Sequence, residues 1–516
     1  MTEQKPTSQK KINPLFGLIF TILITVLGMI SVYIAGNARG YDPSLAVLVR
    51  NSLMISAFLV VYLFLKRGYK GDFTILIVVA LLTGIGFIIQ YRISSAINID
   101  FQKTLIRQYS AAGLEESALP DSTQHLAASD STVNKASEER SLQAIQKEAE
   151  QFLKLDKLKF SQVMQDFFNS VPSWSRLIIS YLIALYLIIH LVRKCSDNRF
   201  MDSLARPFFW VTLTVLLLFI FVALSEVGTR GRFVYQMTPW EAFKVTIIIF
   251  LAGFFAKYKD EFTRKAPKIK GKRLQRIMIP WGPFLLIWLI PQLLFILLKD
   301  FGQVIIYGGL VIIMVFVLTR KYIFLFGGIA ITVITSRLIL LLEGIAPAHV
   351  MKRFIIWSNI WAEPHNNAWW DSVYQIMNSF FALNAGGWTG AGLGLGYPTN
   401  IPLVVSDFVY SAISEELGFF GAAIIVFLYL ALVFLGIRIV LESDNDFERL
   451  LATGFTTMLA VQVFVNIGGV IKLIPLTGIT LPFISRGGFS FLVSMVIIGF
   501  LMGLSHRNGK RAALEA

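Results

Sequence analysis

Long apolar runs separated by short polar stretches dominate the chain, and most of the runs are about as long as a bilayer is thick. They fall at about 14–35, 46–66, 73–94, 173–193, 205–225, 239–257, 277–297, 301–318, 321–343, 409–438, 449–473 and 487–506. A helix rises about 1.5 Å per residue, so about 20 apolar residues cross a hydrocarbon core of roughly 30 Å. Twelve such runs predict an all-α, polytopic membrane helix bundle of about twelve transmembrane helices. The first run follows Lys10 and Lys11 and exceeds the apolar region of a signal peptide, so it is expected to remain as an anchor. The second is the weakest, because it carries Arg50 and Asn51.

The basic residues between the runs set the orientation. Lys66, Arg67 and Lys70, then Arg193, Lys194 and Arg199, then nine Lys and Arg between 257 and 276, then Arg320 and Lys321, and finally Arg507, Lys510 and Arg511 occupy loops of one parity. Loops rich in Lys and Arg stay on the cytoplasmic side, so both termini are expected there. The chain of 516 residues is 55% hydrophobic and 15% charged, with a net charge of +15. In a soluble protein that charge would suggest nucleic acid. Here much of it sits in short loops, so it reads as topology, and no nucleic-acid partner is expected. A single cysteine, Cys195, excludes an intrachain disulfide and a Cys-based metal site.

Two connections break the short-loop pattern, and both are expected outside. Residues 95–172 hold a Ser/Ala/Asp/Thr-rich stretch at 111–136, read as a linker. Leu142, Ile145, Ala149 and Phe152 follow at helical spacing behind a Ser137 cap. A dispensable insertion accounts for this segment better than a binding module. Residues 344–408 combine Trp, Gly, His and Asn in a long loop of the kind that carries function.

Asp407 lies where that outer loop re-enters the membrane. A carboxylate there is either an acidic helix cap or a base whose pKa is raised by apolar neighbours. Glu415 and Glu416 lie deeper, and at least one should face the bundle interior and a cation. Glu241 and Lys244 open a membrane helix three residues apart, so they share a face and can neutralise each other as a structural pair or line a cavity. Lys299 and Asp300 form another charged pair at a helix junction. Arg230, Arg232, Lys352, Arg353, Lys472 and Arg486 fall on the outer side, against the insertion bias, where they snorkel or bind an anionic headgroup or pyrophosphate. The glycines of 386–396 neither follow a soluble strand nor open a βαβ unit, so they read as tight turns or close backbone approach, not as a dinucleotide loop.

Together these stretches resemble the SEDS family of bacterial shape, elongation, division and sporulation proteins, to which RodA and FtsW belong. The matching features are Pro239-Trp240-Glu241-x-x-Lys244, Lys299-Asp300-Phe301-Gly302, Tyr374-Gln375 before the glycine run, Ser406-Asp407-Phe408 with Glu415-Glu416-Leu417-Gly418, and Pro475-Leu476-Thr477-Gly478 through Arg486-Gly487-Gly488. The resemblance implies a ten-helix core at 73–506, with the outer insertion at 95–172 and the outer functional loop at 344–408. Residues 1–72, with two helices, are then an addition, and 507–516 a cytoplasmic tail. It also implies a peptidoglycan glycosyltransferase in the bacterial cytoplasmic membrane that polymerises lipid II for elongation or division, with a class B penicillin-binding transpeptidase and other cell-wall machinery as partners.

On that resemblance Asp407 matches the family's essential outer-face aspartate. It could deprotonate the acceptor hydroxyl while Arg353, Lys472 or Arg486 holds the pyrophosphate, with inversion at the anomeric carbon. It could instead ligate a divalent cation such as Mg²⁺, and no other cofactor is expected. Arg486 stands where the family has Tyr, and Trp240 where it has Ser. The rival is a flippase or transporter of lipid-linked cell-wall precursors, which would use Glu241, Lys244 and Glu416 as a polar pathway.

Overall fold

The computed structural model describes residues 13–39, 43–111, 173–207, 239–263, 300–341, 348–360, 367–486 and 488–515, together with Trp210, Leu213 and positions 288–293, 295 and 296. Among the described residues the main helices are α1 (Pro14–Ala38), α2 (Leu45–Leu65), α3 (Thr74–Ala111), α4 (Ser173–Lys194), α5 (Asn198–Leu204), α6 (Pro239–Lys257), α7 (Phe301–Thr319), α8 (Tyr322–Leu341), α9 (Ala348–Ser358), α10 (Asn367–Gly386), α11 (Val409–Glu442), α12 (Asp446–Val470) and α13 (Gly488–Glu515), with a short helical turn at Lys259–Thr263 and a 3-10 turn at Pro398–Asn400. Ten of the twelve apolar runs coincide with helices, and those at 205–225 and 277–297 lie largely outside the described residues. Seven described helices are long and apolar enough to cross a membrane, or eight if the pair α4 and α5, bent by 107°, is one span.

Local chemistry places the ends. Pro14 sits at the start of α1 behind Asn13, whose side chain accepts from Leu15 N–H. Asn445 caps α12 in the same way, with Asp446 and Glu448 in its first turn where the helix dipole favours acid. Arg320, in the left-handed region at φ 53°, closes α7.

The apolar span of the third helix is Thr74–Ala96, and α3 continues beyond it to Ala111, into the first residues of the expected insertion at 95–172. The apolar pattern fades at this point, but no Gly or Pro interrupts the sequence before Gly113, so the backbone keeps its helix after the lipid-facing pattern has stopped. The expected amphipathic helix behind Ser137 lies outside the described residues. The long loop at 344–408 contains helices α9 and α10.

Helix α12 is the hub, packed against α6, α7, α11 and α13. Small residues allow the approach: Gly436 of α11 faces Thr456, and Gly454 faces Ile248 of α6. Lipid has the outer faces, where Phe16, Phe20 and Leu23 of α1 and Phe420, Phe427 and Phe434 of α11 stay exposed. The two N-terminal helices pack on α3, and α2 also on α4.

Candidate active site

Asp407 occupies the turn 401–408 that leads into α11, and its surroundings come from the loop 471–486 that follows α12. The two segments are laced through their backbones. Ser485 Oγ donates to the Ser406 carbonyl at 2.6 Å, Arg486 N–H to the Val405 carbonyl at 2.8 Å, and Asn466 Nδ2 of α12 to the Asp407 carbonyl at 3.0 Å. Gln90 of α3 bridges both segments, donating to Val405 at 3.0 Å and Ile484 at 3.3 Å. The bonds that reach the 405–407 stretch all use its main chain, so they fix the backbone that carries the carboxylate.

Gly478 lies beside both charged groups of the site. It holds φ +75°, and a Cβ there would come to 3.4 Å from Asp407 Oδ2 and 3.7 Å from Arg353 Nη2. The carboxylate and the guanidinium therefore lie on the same side of Gly478 and close to each other. Arg353 arrives on α9, which is tied to the same loop by Trp357 Nε1 donating to the Lys472 carbonyl at 3.1 Å. Burial lowers the Arg353 pKa, while Asp407 and Asp300 act the opposite way and favour its charge. Asp300, the N-cap of α7, is pushed up by burial and held back by its hydrogen bond from Gln303 and by Lys244 and Arg353. Glu241 and Lys244 pair at 2.9 Å, both buried, on the first turns of α6. One line of alternating charge thus runs from that pair through Asp300 and Arg353 to Asp407. Three buried polar atoms around it, Gln303 Nε2, Asn466 Oδ1 and Thr477 Oγ1, have no hydrogen-bond partner among the described residues. Orphaned polar groups beside a carboxylate and a guanidinium mark a place for a polar ligand or water.

The remaining candidates separate. Lys472 lends its backbone carbonyl, and Arg486 is exposed at the edge of the loop, close enough to Arg50 of α2 to repel it. Arg230, Arg232 and Lys299 lie outside the described residues. Glu416 faces Arg92 of α3 at 2.9 Å, with Oε2 accepting from Gly394 N–H at 3.1 Å, so it belongs to the scaffold of the glycine run. That run folds back on the start of α11: Ala391 and Gly392 N–H donate to the Glu415 and Glu416 carbonyls, each at 2.9 Å, and Glu415 Oε1 accepts from Tyr397 N–H at 2.8 Å. Gly390 and Gly418, both at positive φ, lie so close that either Cβ would strike the other's backbone. Arg92, Asn466 and Gln90 carried no signal in the sequence, since each works through contacts between distant segments, and Ser485 stood only within the motif at 475–488.

Among the described residues no three of His, Cys, Asp and Glu gather to hold a metal ion. Mg²⁺ is commonly held by one or two carboxylates together with substrate phosphates, and the lone Asp407 carboxylate fits that form only.

These features define a multi-pass helical membrane protein with a polar site recessed at one end of the bundle. The sequence pattern of the cell cycle proteins FtsW, RodA and SpoVE matches residues 155–510, and the chain belongs to that family. It is 30% identical over 272 residues to the peptidoglycan glycosyltransferase RodA of Mycobacterium tuberculosis, covering 53% of this chain and 56% of that one. It is 32% identical over 299 residues to the stage V sporulation protein E of Bacillus subtilis, covering 57% and 76% respectively. The chain thus spans about half the length of the RodA relatives it matches. A chain from a solved peptidoglycan synthase complex that coordinates polymerization and crosslinking shares the fold, with a TM-score of 0.50 and 22% identity over 65% of this chain and 90% of that one.

Proposed function

We propose that the protein is a peptidoglycan glycosyltransferase that polymerises lipid II at the outer face of the bacterial cytoplasmic membrane, with both termini in the cytoplasm. The observation that carries this reading is the Asp407 carboxylate and the Arg353 guanidinium brought together beside Gly478, in a family whose relatives include named peptidoglycan glycosyltransferases. The acceptor sugar hydroxyl is too weak to attack unaided, and Asp407 takes its proton as the new glycosidic bond forms. The oxygen of the undecaprenyl diphosphate departs from the opposite face of the anomeric carbon, so the centre inverts. Arg353 stabilises the charge that grows on the diphosphate, supported by Asp300 and the Glu241–Lys244 pair behind it. If a divalent cation such as Mg²⁺ enters, Asp407 and the diphosphate would hold it, and its contribution would be to screen phosphate charge. A class B penicillin-binding transpeptidase is the proposed partner, since a glycan polymer requires crosslinking. Lipid II polymerisation by purified wild type and Asp407→Asn, each with and without the transpeptidase, tests the assignment. Translocation of labelled lipid II by vesicle-reconstituted protein, with no polymer formed, would make the protein a transporter instead.

A further inference from the structure

A second site lies at the end of the bundle away from Asp407. Helix α11 starts beside Asp407, and near its far end Arg438 reaches Asp72 at 3.2 Å, in the loop that joins α2 to α3. A cavity of 840 Å³ opens there between that loop and the ends of α2, α4 and α13. That is ample for a headgroup and the first carbons of its chains. Its wall carries four cations, Lys66, Arg67, Arg193 and Lys510, beside Leu63 and Phe64. Its lining residues include no acid.

Basic residues collect on one side of any membrane protein, so their number alone decides nothing. Their pairing does. Neighbouring cations at this end are matched: buried Glu448 takes Arg507 at 2.7 Å and Arg511 at 2.8 Å, Asp446 takes Lys259 at 2.7 Å, and Glu442 takes Arg438 at 2.7 Å. The four in the cavity form no ion pair with any described residue. The floor beneath them is fixed. Tyr69 stacks on His506 with ring centres 5.3 Å apart, and His506 Nδ1 accepts from Lys70 N–H at 2.9 Å, which leaves Nε2 as the ring's donor. Leu63 and Phe64 are exposed on the last turn of α2, so the charged recess is continuous with a lipid-facing apolar flank.

We propose that this cavity binds the phosphate headgroup of an anionic phospholipid, with Lys66, Arg67, Arg193 and Lys510 around the phosphate and the acyl chains laid against Leu63 and Phe64. A basic recess between helices, unmatched by acid and open to lipid on one flank, has the charge and shape for that ligand. A small soluble phosphate compound shares the headgroup chemistry but has no use for the apolar flank.

The test titrates purified full-length protein in neutral detergent with phosphatidylglycerol, phosphatidylcholine or glycerol 3-phosphate, reading bound ligand by native mass spectrometry and stability by thermal unfolding. Phosphatidylglycerol should bind and raise the unfolding temperature, whereas the other two should do neither at the same concentration. The Arg67→Gln/Arg193→Gln variant should bind phosphatidylglycerol roughly 25-fold more weakly, at about fivefold for each charge removed. The Arg320→Gln/Lys321→Gln variant loses equal charge from another loop and should bind as wild type does. Equal losses in the two variants, or equal binding of the two phospholipids, would overturn the site in favour of general surface charge. Tight binding of glycerol 3-phosphate would overturn the lipid assignment. If the double variant does not fold, Lys510→Gln, an exposed change at the rim, should weaken phosphatidylglycerol about fivefold, and an unchanged affinity would count against the site.

Discussion

Arg92 and Glu416 stand 324 positions apart in the chain and meet at 2.9 Å, both almost wholly withdrawn from solvent. Arg92 Nη2 also donates to the Gly396 carbonyl at 3.0 Å, so the pair fastens α3, α11 and the glycine run at one point. Removing one partner of such a buried pair costs about 3–5 kcal/mol, because the other is left uncompensated. Arg92→Met and Glu416→Gln should each lower the unfolding temperature, with the double variant less harmful than the two losses added together. Strict additivity would mean that the pair does not hold the loop.

Asp407→Asn should fold as wild type does, because the bonds from Asp407 N–H to Leu403 at 3.2 Å and from Asn466 to the Asp407 carbonyl are main-chain contacts that the amide leaves intact. Loss of a general base typically removes about 100- to 10,000-fold of rate. Glycan product on a gel should fall by that order. Near wild-type product would remove Asp407 from the chemistry.

Gly478→Ala should separate activity from stability. The added methyl would lie against both Asp407 and Arg353, and an L-residue at φ +75° costs roughly 1–2 kcal/mol. A small drop in unfolding temperature with a large loss of polymerisation is expected. If turnover survives at the wild-type level, substrate does not approach the two side chains past Gly478.

Glu241 and Lys244 should behave as a coupled pair. Glu241→Ala and Lys244→Ala each strand a buried charge, and the double variant should do less damage than their sum. Thermal unfolding of all three provides the cycle. A simple sum, with normal folding and lost activity in each single variant, would assign the two residues separate roles on substrate.

Cys195 should be silent towards thiol reagents. It is fully buried, and burial pushes its thiol up to about 12, so almost no thiolate exists near neutral pH. An impermeant maleimide should label a cysteine introduced at 120 in intact cells, but not one at 270, without replacing Cys195. Labelling at 270, or none at 120, would reverse the proposed orientation.

The helices were legible because a lipid-spanning run announces itself by length, and even α2 forms despite Arg50 and Asn51. Helix ends were less legible. The apolar run at 73–94 marks where the span ends, near Ala96, but a helix that outlasts its apolar pattern, as α3 does to Ala111, leaves no hydropathy signal at its end. At the site, short spacings were readable: Glu241 and Lys244 are neighbours on one turn, and the glycines of 386–396 do take turn conformations, with Gly387, Gly390, Gly392 and Gly394 at positive φ. The expectation that one of Glu415 and Glu416 meets a cation named the need, but nothing near it in sequence named Arg92. Gly478 facing Asp407, and Asn466 holding its carbonyl, join segments whose proximity exists only after α12 has packed.

The glycine run also leans on the N-terminal helices. A Cβ at Gly394 would come to 2.7 Å from Ala35 Cβ of α1, and Arg39 stacks over Tyr397 at 5.4 Å from its ring centre. Arg92, Gln90, Ala35 and Arg39 all precede residue 155, where the match to the family begins. The part of the chain that kinship defines is therefore smaller than the part that bears its mechanical load. Transplanting 155–510 onto a foreign front half would carry over Asp407 and Arg353 but leave the glycine run without its rear wall.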